Sequence, residues 1–315
     1  MSQSENNRKQ KKGSFIAGVL KKIFYPQHLY KVIKYQRNKN KTGRVYDDAQ
    51  LKLYHTILPG DFLHYGYFTD INIQPHDISL NAIYQAQLKY AELILDKITD
   101  KNSPILDIGC GMGGLIKLMV DRGLKPVALS PDRNQVHYIR NKYPDITTIE
   151  SKFEDSTPIE NEYGTVITSE SLQYLKLDVA LPLLKKILKP GGKWIACDYF
   201  RTDGKGEKSG HYWEAFVGQV TKAGWKITYE QDITLNVLPT ISYVYMLGND
   251  IVKPVKDFAF EKLLKKQPGV HYIFEDLIQT INTKLDKNLE VVNPETFAAN
   301  KKYVLMVLEQ DHHLT

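Results

Sequence analysis

The stretch Pro104-Ile-Leu-Asp-Ile-Gly-Cys-Gly-Met-Gly-Gly114 decides the fold of this 315-residue chain. A short apolar run ends in a glycine-rich turn, and the apolar residues that follow, Leu115, Ile116, Leu118 and Met119, have helical spacing. This order predicts a strand, a tight turn and a helix. Because glycine lets a backbone approach a ligand at little steric cost, the turn is a candidate binding site.

The glycines of this turn fit two patterns. Gly109, Gly111 and Gly114 give the dinucleotide pattern G-x-G-x-x-G, whereas Gly109, Gly111 and Gly113 give G-x-G-x-G. Asp107, two residues before the first glycine, would repel a pyrophosphate but would suit a ligand with a sulfonium and an ammonium group. Its carboxylate could instead only fix the turn by accepting backbone hydrogen bonds. We favour the cationic ligand over a dinucleotide.

Strands and helices alternate along the rest of the chain. Helical spacing covers residues 80–98, 133–142 and 178–188. Further strands are predicted at residues 126–130, 147–151, 164–168, 193–198, 225–233 and 303–308. A helical stretch of roughly residues 236–287 is too long for a loop and is interpreted as an inserted cap. The alternation predicts an α/β fold with a parallel sheet covered on both faces.

The composition is that of an ordinary globular protein, with 42% hydrophobic and 25% charged residues. The cysteines, Cys110 and Cys197, are too few for a disulfide framework, and no run reaches the roughly 18 apolar residues of a membrane span. We therefore expect a cytoplasmic protein, with peripheral contact to a membrane as an option. His312 and His313 lack partner ligands, so no metal site is predicted.

Positive charge is concentrated in an N-terminal arm. Residues 1–44 hold twelve basic side chains and one acid, whereas the remainder has a net charge of −5. Apolar residues with helical spacing predict two short basic helices, which either contact an anionic membrane or pack on the body. We therefore divide the chain into an arm, residues 1–45, and a folded domain, residues 46–315, with its cap at about 235–290.

Several motifs together resemble the class I S-adenosylmethionine-dependent methyltransferases. They are Ile105–Gly113, Ala128–Pro131, Phe153–Asp155, Ile167–Glu170 and Leu188–Gly192. The resemblance extends over about residues 80–234, and the strand at 303–308 fits the last strand of that family. It implies a Rossmann-like sheet of seven strands with an antiparallel last strand, and S-adenosyl-L-methionine as the cofactor.

Within that superfamily, residues 62–68 (Phe-Leu-His-Tyr-Gly-Tyr-Phe) are similar to a segment of the cyclopropane-fatty-acid synthase, tocopherol and sterol methyltransferase branch, where it closes over the methionine end of the cofactor. The resemblance implies cofactor contacts by Tyr65, Gly66, Asp107, Gly109, Cys110, Gly111, Gly113, Ser130, Gln135, Phe153, Glu154 and Glu170. A ring at Phe153 would pack on adenine and a carboxylate at Glu154 would read its amine, although Phe153 could equally be plain core.

One departure from that branch bears on the reaction. Gln173-Tyr174 stands where the branch often has Glu-His, and Gly66 replaces a cysteine of the cyclopropane synthases. Transfer to oxygen, nitrogen or an activated carbon is therefore favoured over methylation of an unactivated alkene. If the acceptor must lose a proton, Glu170, His64 and His211 are the candidate bases. Asp198 and Tyr199, at the end of the fifth strand, are placed similarly to His211. A lone histidine is more often structural.

The acceptor is predicted from the cap. Its apolar side chains would roof an acceptor pocket, which implies a small, partly apolar or lipid-like acceptor, or they form only the core of the cap. These side chains are Leu238, Ile241, Tyr243, Tyr245, Met246, Phe258, Phe260, Tyr272 and Phe274. Three alternatives stay open: cyclopropane-synthase-like lipid methylation, nucleic-acid methylation with the arm on phosphates, and an inactive cofactor-binding scaffold. Ser169-Glu-Ser-Leu172 speaks against nucleic acid, because amino-methylating enzymes carry Asn/Asp-Pro-Pro-aromatic there.

Overall fold

The computed structural model describes residues 59–157, 159–203 and 210–311, together with residues 26, 27, 30, 31, 34, 56 and 57. The chain divides into two compact units, Met1–Tyr46 and Asp47–Thr315. Nearly all of the basic arm lies outside the described residues, so its two helices stay a prediction. The features below belong to the second unit.

Seven strands of the described chain form one sheet. They are β1 (Ile105–Ile108), β2 (Pro126–Ser130), β3 (Thr147–Glu150), β4 (Tyr163–Ser169), β5 (Leu188–Arg201), β6 (Trp225–Asp232) and β7 (Lys301–Gln310). Their order is β3-β2-β1-β4-β5-β7-β6. The pairs among β1 to β5 are parallel, and β7 is antiparallel to β5 and β6. The predicted Rossmann-like sheet with an antiparallel last strand is confirmed.

The helices cover the predicted positions. They are α1 (Leu80–Leu95), α2 (Gly114–Asp121), α3 (Arg133–Lys142), α4 (Leu177–Ile187), α5 (Trp213–Lys222), α6 (Thr234–Leu247), α7 (Lys253–Lys266), α8 (Pro268–Ile273), α9 (Glu275–Val291) and α10 (Pro294–Asn300). A π-turn at Gly248–Val252 joins α6 to α7. Helices α6 to α9 fill the stretch interpreted as a cap. None of the described helices is both long and apolar enough to cross a membrane.

The sheet separates two hydrophobic cores. Strand residues alternate between its faces, so Leu106 and Ile108 join one core and Ile105 joins the other. The first core includes buried residues of α4 and α5, and the second includes residues of α1, α2 and α6. Asp107 alternates with Leu106 and Ile108 and therefore points to the second face, beside the glycine turn that begins α2.

The structure contradicts one of the two interpretations of the apolar side chains in the cap, namely that they form only the core of the cap. Ile241 of α6 is fully buried in the second core. Phe258 of α7 and the α8 residue Tyr272, by contrast, are 64% and 76% exposed. The predicted stripe is therefore not a single internal core of the cap. Hydrophobic spacing identifies the helices correctly, but it does not tell which of their apolar side chains find a partner.

Candidate functional site

The backbone of the glycine turn has a conformation that residues other than glycine rarely adopt. Gly109, Gly111 and Gly113 have φ angles of +80°, +56° and +85°. A Cβ at Gly109 would also lie 2.4 Å from the Cβ of Ser171, which follows β4. The Gly109 N–H donates to the carbonyl of Leu129 at 2.8 Å, so the turn is fixed to the end of β2. Strained conformation and close approach together require glycine here.

Asp107 is buried without a partner. The residue is 2% exposed, and no described residue forms a hydrogen bond or an ion pair with its carboxylate. Burial alone raises its pKa from 3.8 to about 7. The alternative in which this carboxylate fixes the turn by accepting backbone hydrogen bonds is thus not what the described residues show. A buried carboxylate without a counter-charge fits a cationic ligand.

The segment 62–68 lies over this turn and is tied to two helices. Gly66 donates its N–H to the Thr240 hydroxyl of α6 at 3.0 Å, and the Tyr67 N–H donates to the Ala86 carbonyl of α1 at 2.8 Å. A Cβ at Gly66 would lie 2.5 Å from the Ala86 Cβ, so this glycine is required by packing. A Cβ at Gly111 would lie 3.5 Å from Leu63. The structure therefore brings Leu63 of the segment against the turn, and closure of the segment over a cofactor stays a prediction.

Glu170 joins the segment to the sheet. Its Oε1 accepts hydrogen bonds from the Tyr65 N–H at 2.9 Å and the Tyr303 hydroxyl at 2.6 Å. The Tyr303 hydroxyl lies 2.9 Å from that of Tyr90, which extends the network into α1. Burial raises the pKa of Glu170 to about 7, and its φ of +51° is strained for a residue with a side chain. Such strain is typical of functional sites.

Asp198, which the sequence analysis considers as a candidate base, is a second buried acid beside Glu170. Its carboxylate accepts hydrogen bonds from the backbone N–H groups of Gln173 and Tyr199, at 3.1 and 2.8 Å. Burial, and secondarily the charge of Glu170, raises its pKa to about 8. Its position near the end of a central strand is the only sequence signal. Its contact with the turn after β4 depends on folding.

The histidines that were considered as bases have backbone contacts. The Nε2 of His211 lies 3.0 Å from the carbonyl oxygen of Leu172, and because a carbonyl only accepts, this nitrogen carries the proton. His211 therefore holds the turn that follows Glu170, and burial lowers its pKa. The Nδ1 of His64 donates to the Tyr65 carbonyl at 2.7 Å, and burial lowers the pKa of His64 to about 4. A catalytic role for His211 stays a prediction.

Two residues predicted to contact the cofactor, Ser130 at the end of β2 and Gln135 in α3, lie side by side. The Ser130 hydroxyl donates to Oε1 of Gln135 at 2.8 Å and accepts from the Asp132 N–H at 3.0 Å. Ser130 and Gln135 are buried, and Asp132 caps α3 by accepting hydrogen bonds from Asn134 and Gln135. The structure brings the two predicted residues into direct contact, and their contact with a ligand stays a prediction.

The residues predicted around adenine have roles in the fold. Phe153 is buried in the first core, and Glu154 accepts the Lys176 N–H at 2.8 Å, immediately before α4. Cys110 is buried in the second core, where burial raises its thiol pKa. Contact of these three residues with a cofactor is untested. The described residues include no group of three or more histidine, cysteine or acidic side chains that could hold a metal.

Residues 105–192 match the family model described as a methyltransferase domain. The match covers less than half of the chain, and over these residues the chain is similar to a methyltransferase domain. An uncharacterized methyltransferase of Alkaliphilus oremlandii (strain OhILAs) is 28% identical over 109 residues, which cover 33% of this chain and 50% of that protein. The sterol 4-C-methyltransferase strm-1 of Caenorhabditis elegans is 29% identical over 115 residues, which cover 33% of each. This chain thus spans half or less of the length of these relatives.

The methyltransferase domain also resembles solved structures. The cyclopropane synthase MmaA2 of Mycobacterium tuberculosis superposes with a TM-score of 0.59 at 14% identity, over 83% of this chain and 94% of that one. At this identity the likeness concerns the fold. Together with the family match, it confirms the resemblance to class I methyltransferases and to their sterol and cyclopropane synthase branch.

Proposed function

We propose that this chain is an S-adenosyl-L-methionine-dependent methyltransferase that acts on a small, partly apolar or lipid-like acceptor at oxygen, nitrogen or an activated carbon. The observation that carries the proposal is the Asp107 carboxylate, buried without a partner among the described residues and adjacent to three glycines with positive φ. A dinucleotide would bring a pyrophosphate toward this carboxylate, which electrostatics opposes.

The residues at the carboxyl edge fit this cofactor. Asp107 and the backbone of Gly109–Gly113 would hold its cationic part, and Tyr65 with Gly66 would cover the methionine end. Ser130, Gln135, Phe153 and Glu154 would hold the nucleoside. When bound, the cofactor supplies a methyl group on a positively charged sulfur, so that the carbon is already activated for displacement.

The contribution of the chain is positioning, exclusion of water and proton transfer. The hydrogen bonds of Glu170 to Tyr65 and Tyr303 fix the covering segment against the sheet, which keeps water away from the reacting groups. With a pKa of about 7, Glu170 could accept an acceptor proton near neutral pH. His211 acts as a positioning residue through its contact with the Leu172 carbonyl.

A lipid-like acceptor is favoured by the proteins that the chain resembles, a sterol methyltransferase and a cyclopropane synthase. The basic arm, residues 1–44, supports the same interpretation, because its charge of +11 would attract it to an anionic membrane. A cytoplasmic protein with peripheral membrane contact is consistent with both. Nucleic acid is the alternative that the charge of the arm favours.

A label-transfer assay tests the proposal. The full chain is incubated with cofactor carrying tritium in its methyl group, and with either a total polar-lipid extract or a mixture of tRNA and duplex DNA. Tritium in the organic phase is expected, and it should disappear in Asp107→Asn. Tritium in the nucleic acid would establish the alternative acceptor. Cofactor binding without transfer to either, or to a panel of small aromatic acceptors, would indicate the inactive scaffold.

A further inference from the structure

The outer helices of the cap have unpartnered apolar side chains. Neither α7 nor α8 contains a buried residue. Val255, Phe258, Tyr272 and Ile273, which we call the outer cap face, are each more than 60% exposed. Ten of the exposed large apolar side chains in the described chain fall between residues 251 and 281. An exposed apolar cluster of this kind marks an interaction surface.

The outer cap face is not the surface that holds the cap together. Helix α7 packs on α9 through Lys253, which pairs with Asp286 at 3.0 Å, and through Lys256, which donates to Asn282. Val255 and Phe258, followed by Lys262, have the spacing i, i+3 and i+7, which is one stripe of a helix. All three are exposed. The stripe therefore points to solvent, on the side of α7 opposite the two lysines that contact α9.

Positive charge borders the apolar stripe. Residues 251–281, which hold the exposed apolar cluster, contain five lysines and four acids, a net charge of +1. The Lys262 Nζ lies 5.1 Å from the centre of the Phe258 ring, and neither Lys262 nor Lys266 forms an ion pair with a described residue. Exposed apolar and aromatic side chains with lysines at their edge are typical of helices that lie in the interface of an anionic bilayer.

We propose that the outer cap face is a membrane-binding surface, which places its four apolar side chains in the headgroup region of an anionic lipid bilayer while Lys262 and Lys266 contact lipid phosphates. Charge disfavours other occupants. A two-fold contact between copies of this surface would set lysines against lysines. The proposal does not depend on the reaction.

The outer cap face is connected to the candidate site through α6. Helix α6 continues through the π-turn into α7, and Thr240 of α6 accepts the hydrogen bond from Gly66 in the covering segment. A bilayer bound to α7 would therefore contact the same continuous helical unit that contacts the candidate site.

A site-specific probe separates the cap from the arm. An NBD fluorophore is attached to Tyr272→Cys in the full chain, and to Ile159→Cys as a matched control with a side chain that is 65% exposed. The native thiols, Cys110 and Cys197, are buried and should not react. The vesicles contain equal parts phosphatidylglycerol and phosphatidylcholine, and parallel samples contain phosphatidylcholine alone or nitroxide-labelled lipid.

A blue-shifted emission that nitroxide lipid quenches is expected at position 272, with anionic vesicles only, and not at position 159. Substitution of Val255, Phe258, Tyr272 and Ile273 by serine should weaken vesicle binding at least about tenfold, whereas serine at Ile159 and Ile71 should not. Vesicle binding without a response at 272 would overturn the proposal in favour of the arm. No vesicle binding, or a response at 272 that follows protein concentration without lipid, would also overturn it.

Discussion

Asp107 of β1 and Asp198 of β5 are both buried at the carboxyl edge of the sheet, and burial raises the pKa of each. Their contacts are opposite. Asp198 accepts backbone hydrogen bonds from Gln173 and Tyr199, whereas Asp107 has no partner among the described residues. Burial and a shifted pKa therefore do not distinguish a ligand-binding carboxylate from a scaffolding one. The presence or absence of protein donors does.

The largest effect should come from removing the scaffolding acid. Asp198→Ala leaves the buried N–H groups of Gln173 and Tyr199 without an acceptor, so the free energy of unfolding should fall by about 3 kcal/mol. Chemical denaturation measures this change. Asp198→Asn is the matched control, since it keeps an acceptor oxygen for one N–H and sets its amide NH2 against the other, so its loss should be smaller than that of the alanine variant. Equal stability of the alanine variant and the native chain would remove the distinction between the two acids.

A similar contrast applies to two glycines. Gly109→Ala combines a φ of +80° with a contact of 2.4 Å to Ser171, and unfolding free energy should fall by about 2 kcal/mol or more. Gly123 also has a positive φ, but nothing lies within 4 Å of its Cβ position. Gly123→Ala should therefore cost only about 1 kcal/mol. Comparable losses in the two variants would mean that close packing at the turn is unimportant.

Substitution of Asp107, the acid without a partner among the described residues, should stabilise the chain, whereas substitution of Asp198 should destabilise it. Folded Asp107 binds its proton more tightly than the unfolded chain does, so its contribution to the unfolding free energy falls as pH rises from about 4 to about 7 and stays low above that. Asp107→Asn removes this penalty and should raise stability by about 1–2 kcal/mol at pH 8 and by less at pH 5. Thermal unfolding without ligand measures both values. A destabilised variant would show that protein donors satisfy Asp107 after all.

The affinity for the ligand should depend on the ionisation of the same carboxylate, that of Asp107. Only the ionised carboxylate attracts a cation, so affinity for S-adenosylmethionine should rise about tenfold from pH 5.5 to pH 7, while the α-amino group of the ligand stays protonated. Titration calorimetry at the two pH values gives the ratio. Asp107→Asn should flatten it, and this control separates Asp107 from Glu170, which titrates in the same range. An unchanged ratio in the variant would assign the dependence to other groups.

The sheet and the glycine turn could be predicted because their signals are local. Each strand is a short apolar run, and the turn needs glycine at three positions within five residues. The network around Glu170 could not be predicted, because it joins Tyr65, 105 residues away, to Tyr303, 133 residues away. The role of Asp198 likewise depends on Gln173, which only the folded chain brings beside it.

The cap shows a second limit. Apolar spacing predicted its helices, but Ile241 is buried and Phe258 is exposed, although both belong to the same predicted stripe. Which face of a helix is covered depends on the neighbours that folding supplies. An apolar helix face that stays exposed after folding is a candidate surface for a partner, whereas a covered one is part of a core.

Calorimetric titration with S-adenosylmethionine, S-adenosylhomocysteine and NAD, on the native chain and on Asp107→Asn, tests the central claim most directly. We expect micromolar binding of the first two ligands, no binding of NAD, and a loss of about a hundredfold for S-adenosylmethionine in the variant. Binding of NAD alone, or equal binding of S-adenosylmethionine to the variant and the native chain, would contradict the account.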